Sequence, residues 1–302
     1  MRSPETEIES VPEAPQNPEL GRTIDVAGIR TNYHDLGSGP PLLMIHGSGP
    51  GVSAWANWRM NLGALAARRR VIAPDCLGFG YTDRPANADY SRARWLDHLI
   101  GLLDALALDQ VDIVGNSFGG GLALALAQRH PERVRRLVLM GSIGIDFAIT
   151  PGLEAVWGYV PSAANMLRLL EIFAFDPRLA GEDLAEKRYR ASILPGAQEA
   201  FGAMFPSPRQ NSVDAFALSH AELQRIAQPT LILHGREDRV IPPGNAHRLF
   251  ALIPDAELHM FGRCGHWTQI EHADAFNRIV EDFLARGTNA DAAAGPRAET
   301  VE

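Results

Sequence analysis

Val111-Asp112-Ile113-Val114-Gly115-Asn116-Ser117-Phe118-Gly119-Gly120-Gly121 encodes a strand, a sharp turn and a helix, in that order. The first four residues form a short run rich in β-branched side chains, and an Ala- and Leu-rich helical segment continues from the glycines to His130. Between them lies the pattern G-x-S-x-G, whose glycines leave room for a serine in a strained conformation. Such a turn presents Ser117 Oγ above a sheet. The helix that follows aims its N-terminal N–H groups and positive dipole end at the same place. A glycine-rich turn serving only close helix–strand packing is the plain alternative, and the strand and helix on either side weigh against it.

A serine hydroxyl is a poor nucleophile at neutral pH unless a histidine takes its proton and a carboxylate orients that histidine. Two late apolar runs lead into loops that carry both. Residues 231–233 lead into His234-Gly235-Arg236-Glu237-Asp238-Arg239-Val240-Ile241-Pro242, and 258–261 lead into Gly262-Arg263-Cys264-Gly265-His266-Trp267. Ser117, Asp238 and His266 thus stand in the order serine, acid, base that accompanies this turn in α/β sheets. Asp146, just after the run 134–140, is the alternative acid, and Glu237 is expected to face solvent. His130 and His272 sit at helix ends; His46 and His234 close strands beside glycines, where a buried, hydrogen-bonded structural role is expected. Acyl transfer also needs two N–H donors aimed at the developing oxyanion. Phe118 N–H supplies the first, and Ser48 N–H, in the loop His46-Gly47-Ser48-Gly49-Pro50-Gly51, is assigned as the second.

Outward from the turn, short β-branched runs alternate with helical patterns, the signature of a mostly parallel sheet covered by helices. Strands are predicted at 23–26, 29–33, 42–45, 71–74, 111–114, 134–140, 230–234 and 256–261, the first two as an antiparallel hairpin around Gly28. Leu96, Leu99, Ile100, Leu103 and Leu106 recur at helical spacing and mark a crossover helix. The alternation fails between about 142 and 223, where aromatic-rich helical pieces replace the next strand. An insertion of that size is a candidate lid. The predicted organisation is therefore an acidic disordered tail over 1–20, a core in two parts over 21–144 and 223–286, a helical lid over 145–222 and a second disordered tail over 287–302.

The chain has 302 residues, 46% hydrophobic and 21% charged, with a net charge of −8. That composition argues against disorder throughout, and the acidic balance argues against nucleic acid or an anionic membrane as partner. The two tails carry eight acidic residues against Arg2 and Arg297, so most of the net charge lies outside the domain. Cys76 and Cys264 are too few for a disulfide framework, and the first twenty residues hold no apolar signal core; both point to a cytoplasmic protein. The histidines lack metal-ligand spacing and the glycine loops match no nucleotide-binding fingerprint, so neither metal nor organic cofactor is called for.

The serine–acid–base order, the turn and the insertion resemble the α/β-hydrolase fold: a mostly parallel eight-stranded sheet with helices on both faces and a helical lid. More narrowly, the segment from His46 through Ser53-Ala54-Trp55-Ala56-Asn57-Trp58, together with Gly115-Asn116-Ser117-Phe118-Gly119-Gly120 and Cys264-Gly265-His266-Trp267, resembles the meta-cleavage product hydrolases. Residues 186–195 and 202–210 resemble the branch acting on 2-hydroxymuconate semialdehyde and small alkyl analogues. The resemblance implies hydrolysis of the C5–C6 bond of 2-hydroxy-6-oxohexa-2,4-dienoates in aromatic degradation, with Ser117 forming an acyl-enzyme and His266 moving protons. It further implies that Arg188 binds the substrate carboxylate, that Asn57 and Asn116 flank the polar end, and that Trp267 and Cys264 line the reacting end. On the residues alone, Arg188 in Glu186-Lys187-Arg188-Tyr189-Arg190 reads equally as a solvated charge, and Cys264 as a small packed side chain. A homo-oligomer, a dimer or larger, is a further expectation of the family. A carboxylesterase with the same three residues and a non-catalytic receptor on this fold are the competing functions. The absence of Asp at position 117 weighs against a dehalogenase or epoxide hydrolase.

Overall fold

A computed structural model describes residues 17–286. It contains eight strands: β1 (Arg22–Val26), β2 (Ile29–Leu36), β3 (Pro41–Ile45), β4 (Arg70–Pro74), β5 (Val111–Asn116), β6 (Val134–Met140), β7 (Thr230–Gly235) and β8 (Ala256–Phe261). They form one sheet in the order β1-β2-β4-β3-β5-β6-β7-β8. The β1–β2 and β2–β4 pairs are antiparallel; all pairs from β4 to β8 are parallel. Every predicted strand is present, and the opening hairpin forms as expected.

The central strands are buried on both faces. Leu43, Ile45, Ile113, Leu137 and Leu139 point to one layer of helices, while Leu42, Met44, Val114, Val138 and Met140 point to the other. Period-two alternation with apolar residues at both parities is what a doubly covered parallel strand requires. The crossover helix runs from Arg92 to Ala105 and buries Leu96, Leu99, Leu102 and Leu103. Strand order reverses beside β3, which lies between β4 and β5, so the chain leaves the carboxyl ends of β3 and β5 in opposite directions. The crevice opened there is where ligands bind in such sheets.

The predicted insertion is helical. Between β6 and β7 the helices Pro151–Trp157, Ala163–Phe173, Glu182–Ser192, Ala197–Met204, Gln210–Phe216 and His220–Leu223 lie over the carboxyl edge of the sheet. Trp157 stacks on Phe205 with ring centroids 4.4 Å apart, and its Nε1 donates to Ser48 Oγ at 2.9 Å, tying the insertion to the loop after β3.

The first predicted tail is too long by four residues. Residues 17–20 pack on the domain: the Glu19 carboxylate pairs with Arg188 and accepts from Ser53 Oγ at 2.7 Å, and its backbone carbonyl accepts from Asn32 Nδ2. Residues 1–16 and 287–302, the remainder of both tails, lie outside the described residues. Among the described residues no helix is long and apolar enough to cross a membrane.

Candidate active site

Ser117 stands at the end of β5 with φ 54° and ψ −112°, a left-handed conformation costly for a residue with a side chain. Three backbone bonds hold it there: its N–H donates to Met140 O at 2.8 Å, and its carbonyl accepts from Gly121 and Ile143 N–H. The flanking glycines have a steric reason. A Cβ on Gly119 would sit 2.3 Å from Ile45 O, and one on Gly115 would sit 2.4 Å from Gly119 O. Phe118 begins the helix Phe118–Arg129, so its N–H is among the first-turn donors that have no partner inside the helix.

His266 Nδ1 lies 2.7 Å from Asp238 Oδ2, and both side chains are buried. The other carboxylate oxygen, Oδ1, accepts from Val240 and Ile241 N–H at 2.7 and 2.9 Å. Burial alone would raise the Asp238 pKa; the His266 charge and hydrogen bonds from His234 and His266 outweigh it and hold the carboxyl well below the ordinary range. His266 is itself fixed by its backbone N–H, which donates to Phe173 O at 2.7 Å, and Phe173 stacks on Trp267. Ser117 and His266 line one cavity. Asp146, the alternative acid, is exposed and paired with Arg248 at 2.7 Å, so it takes no part. Glu237 is partly exposed, and its Oε2 accepts from Cys264 N–H at 3.0 Å.

His234 is buried as expected and does more than fill space. Its Nε2 lies 3.1 Å from Asp238 Oδ2 and 3.1 Å from Ile241 O, a second imidazole on the acid that the sequence did not reveal. His46 is also buried: its Nδ1 faces Gly47 O at 2.7 Å and its Nε2 accepts from Cys76 N–H at 2.9 Å. Burial lowers its pKa to about 4, so it stays neutral in the tautomer that these two partners require.

The cavity offers about 60 Å³ to the centres of water-sized spheres. One end is apolar, with Leu153, Val156, Met166, Leu170 and Phe173 from the insertion. The other is polar: Ser48, Asn57, Asn116, Arg188 and Gln269 line it, and exposed Arg59 joins it to an outer groove. Asn57 Oδ1 accepts from Gly47 N–H at 3.3 Å, and Asn116 Nδ2 donates weakly to Met140 O at 3.4 Å. The helix Ala54–Trp58, which carries Asn57, is capped by Ser53 and held through Ala54 N–H to buried Asp75 at 2.6 Å. Arg188 is no solvated charge. Its Nη1 donates to Gly51 O at 2.9 Å, its Nη2 pairs with Glu19, and its buried Nε has no partner among the described residues.

Most residues singled out from sequence converge here: Ser117, His266, Ser48, Asn57, Asn116, Arg188 and Trp267 line the cavity, and Asp238 stands behind His266. Cys264 does not. It is fully buried on the opposite side of the sheet among Phe261, Phe276 and Val280, and burial pushes its thiol pKa up. Arg263, at φ 56°, turns the chain just before it and breaks the alternation that would have put Cys264 and His266 on one face. Glu19, Arg59, His234 and Gln269 were not singled out. Only Gln269 had a local signal, one helical turn beyond His266.

Residues 40–273 match a family model described as alpha/beta hydrolase fold. The chain is 63% identical over 282 residues to the 2-hydroxymuconate semialdehyde hydrolase of Pseudomonas sp. strain CF600, covering 93% of this chain and 99% of that one. It is 57% identical over 269 residues to the 2-hydroxy-6-oxo-2,4-heptadienoate hydrolase of Pseudomonas putida strain F1, covering 89% of this chain and 98% of the relative. Among solved structures, the meta-cleavage product hydrolase CumD from Pseudomonas fluorescens IP01, complexed with acetates, superposes with a TM-score of 0.88 at 57% identity, covering 89% and 98% of the two chains. With the elbow, the buried acid–histidine pair and the helical insertion in the places those relatives predict, the chain belongs to the meta-cleavage product hydrolases of the α/β-hydrolase fold.

Proposed function

We propose that the protein hydrolyses the C5–C6 carbon–carbon bond of a 2-hydroxy-6-oxohexa-2,4-dienoate, either 2-hydroxymuconate semialdehyde or a small 6-alkyl analogue. The observation that carries this reading is a cavity with two unlike ends and Ser117 with His266 in its wall. A dienoate is built the same way, with a carboxylate and an enol at one end and a small acyl group at the other. The modest volume and the aliphatic side chains of the insertion favour hydrogen or a short alkyl group on C6.

Carbon leaves as an anion only if its electron pair can delocalise. The dienol is therefore ketonised first: O2 gives up its proton and C5 gains one, leaving a 2-oxo group as electron sink. Ser117 Oγ, deprotonated by His266, then adds to C6, and the oxyanion that forms is held by the Ser48 and Phe118 N–H groups. The C5–C6 bond breaks, its electron pair passing into the dienolate stabilised by the 2-oxo group. Water activated by His266 releases the acyl group as a carboxylic acid. Arg188, through its free Nε–H, anchors the substrate carboxylate, and Asn57 and Asn116 hold the oxygen at C2. A cytoplasmic location and a homo-oligomeric state belong to the same reading.

The direct test is optical. Mixing the protein with the yellow ring-fission product of catechol or 3-methylcatechol bleaches the colour; persistence of the colour across alkyl and aryl analogues, with rapid turnover of p-nitrophenyl esters, makes the protein an esterase instead. Arg188→Ala raises KM for these dienoates by about tenfold or more, the scale of one charge-assisted hydrogen bond. An unchanged KM removes Arg188 from the carboxylate.

A further inference from the structure

Two side-chain amides at the polar end are each half satisfied, and the half left over is fixed in both. Asn57 Oδ1 accepts from Gly47 N–H, so the Asn57 atom without a partner is the donor Nδ2. Gln269 Nε2 donates to Asn57 O at 3.3 Å, so the Gln269 atom without a partner is the acceptor Oε1. Neither amide can be turned over without losing its backbone partner, which settles the oxygen and nitrogen positions in each. Asn57 is 6% exposed and Gln269 is 0% exposed, and both line the cavity that holds Ser117 and His266. A buried polar atom with no partner costs about 1–3 kcal/mol, so such a pair marks a place where something else supplies the missing bonds.

One donor beside one acceptor narrows what that partner is. A carboxylate or a ketone oxygen only accepts, so it satisfies Asn57 Nδ2 and leaves Gln269 Oε1 lone pair against lone pair. An ammonium group only donates and fails at Asn57. A hydroxyl does both through a single oxygen.

We propose that Asn57 Nδ2 and Gln269 Oε1 form a socket for the 2-hydroxyl of the substrate, and that Gln269 is the residue by which the site distinguishes a 2-hydroxydienoate from a dienoate lacking that group. This rests on the dienoate reading above. Sites built around a substrate hydroxyl reject the analogue without it strongly, because their own polar groups are then stranded. Gln269 also follows His266 by three residues, so the helix Thr268–Glu271 that carries the acceptor starts from the loop that carries the base.

The test compares two ligands in a background that cannot turn either over. In Ser117→Ala, dissociation constants are measured for 2-hydroxy-6-oxohepta-2,4-dienoate and for 6-oxohepta-2,4-dienoate, which lacks the 2-hydroxyl. The hydroxylated ligand binds at least tenfold more tightly in Ser117→Ala, and Ser117→Ala/Gln269→Leu reduces that ratio to within a factor of two of unity. A general loosening of the site weakens both ligands and leaves the ratio alone, which overturns the proposal, as does a ratio near unity before Gln269 is changed. Gln269→Met, which keeps the length of the side chain, serves the same comparison if the leucine variant does not fold. Wild-type bleaching of the dienoate is measured in parallel. If wild type fails to bleach it, the dienoate reading falls; if wild type bleaches it and the ratio survives Gln269→Leu, only the socket falls.

Discussion

Ser117→Ala lowers product formation by about 10⁴-fold or more while the dienoate still binds, because the variant removes one oxygen from an otherwise intact cavity. The size of the loss follows from the chemistry: without Oγ there is no atom for His266 to deprotonate and no acyl-enzyme. Rapid mixing under single-turnover conditions checks it, with binding followed as a shift of the dienoate absorbance and turnover as its disappearance. Turnover within tenfold of wild type would mean that water attacks C6 directly and that Ser117 is not the nucleophile. The alanine also relieves nothing in the backbone, since the left-handed φ persists with any L side chain. Stability of the variant is therefore expected to stay close to wild type.

Asp238→Asn is expected to cost about 10⁴-fold in kcat, the scale seen when the orienting acid of such a triad becomes an amide. Local geometry makes the direction unavoidable. Val240 and Ile241 N–H both point at Oδ1, so the amide oxygen of the variant occupies that position and the NH₂ faces His266. A donor there forces Nδ1 of His266 to accept, which places the ring proton on Nε2, where it cannot take a proton from Ser117. Retention of more than a hundredth of wild-type kcat would refute this orientation role. In wild type the acid stays ionised at working pH, because its pKa lies below the usual carboxylate value. The stability it contributes is present in full above that usual value and is lost only as pH falls toward the depressed one.

The elbow was legible because all of it is local: strand, turn and helix are contiguous, and the glycines answer contacts within the turn and with the neighbouring strand end. Asp238 and His266 were legible because each follows an apolar run whose sheet position the alternation of strands and helices predicts. Contacts between distant segments left no such trace. His234 reads as a strand-closing histidine, and only the curl of residues 235–241 folds Asp238 back beneath its ring. Glu19 lies among glutamates and prolines that look alike, yet it reaches Arg188 across 169 positions. Cys264 was placed wrongly because a single residue at positive φ reversed the side on which it lies.

The Glu19–Arg188 pair bears on how ligands come and go. Arg59 stands at the cavity mouth close enough to Arg188 that the like charge, after partial desolvation, lowers its pKa, and it has no carboxylate within 4 Å among the described residues. Empty, the polar end thus holds two guanidiniums and one carboxylate, an excess of one positive charge. An arriving dienoate brings the count to zero, so the attraction that draws in a first anion is spent once it is seated. The dienoate product keeps the same carboxylate as the substrate, and electrostatics hold both equally. Release is then governed at the opposite end of the molecule, where cleavage has severed the product from the acyl portion that packed against Leu153, Val156 and Phe173.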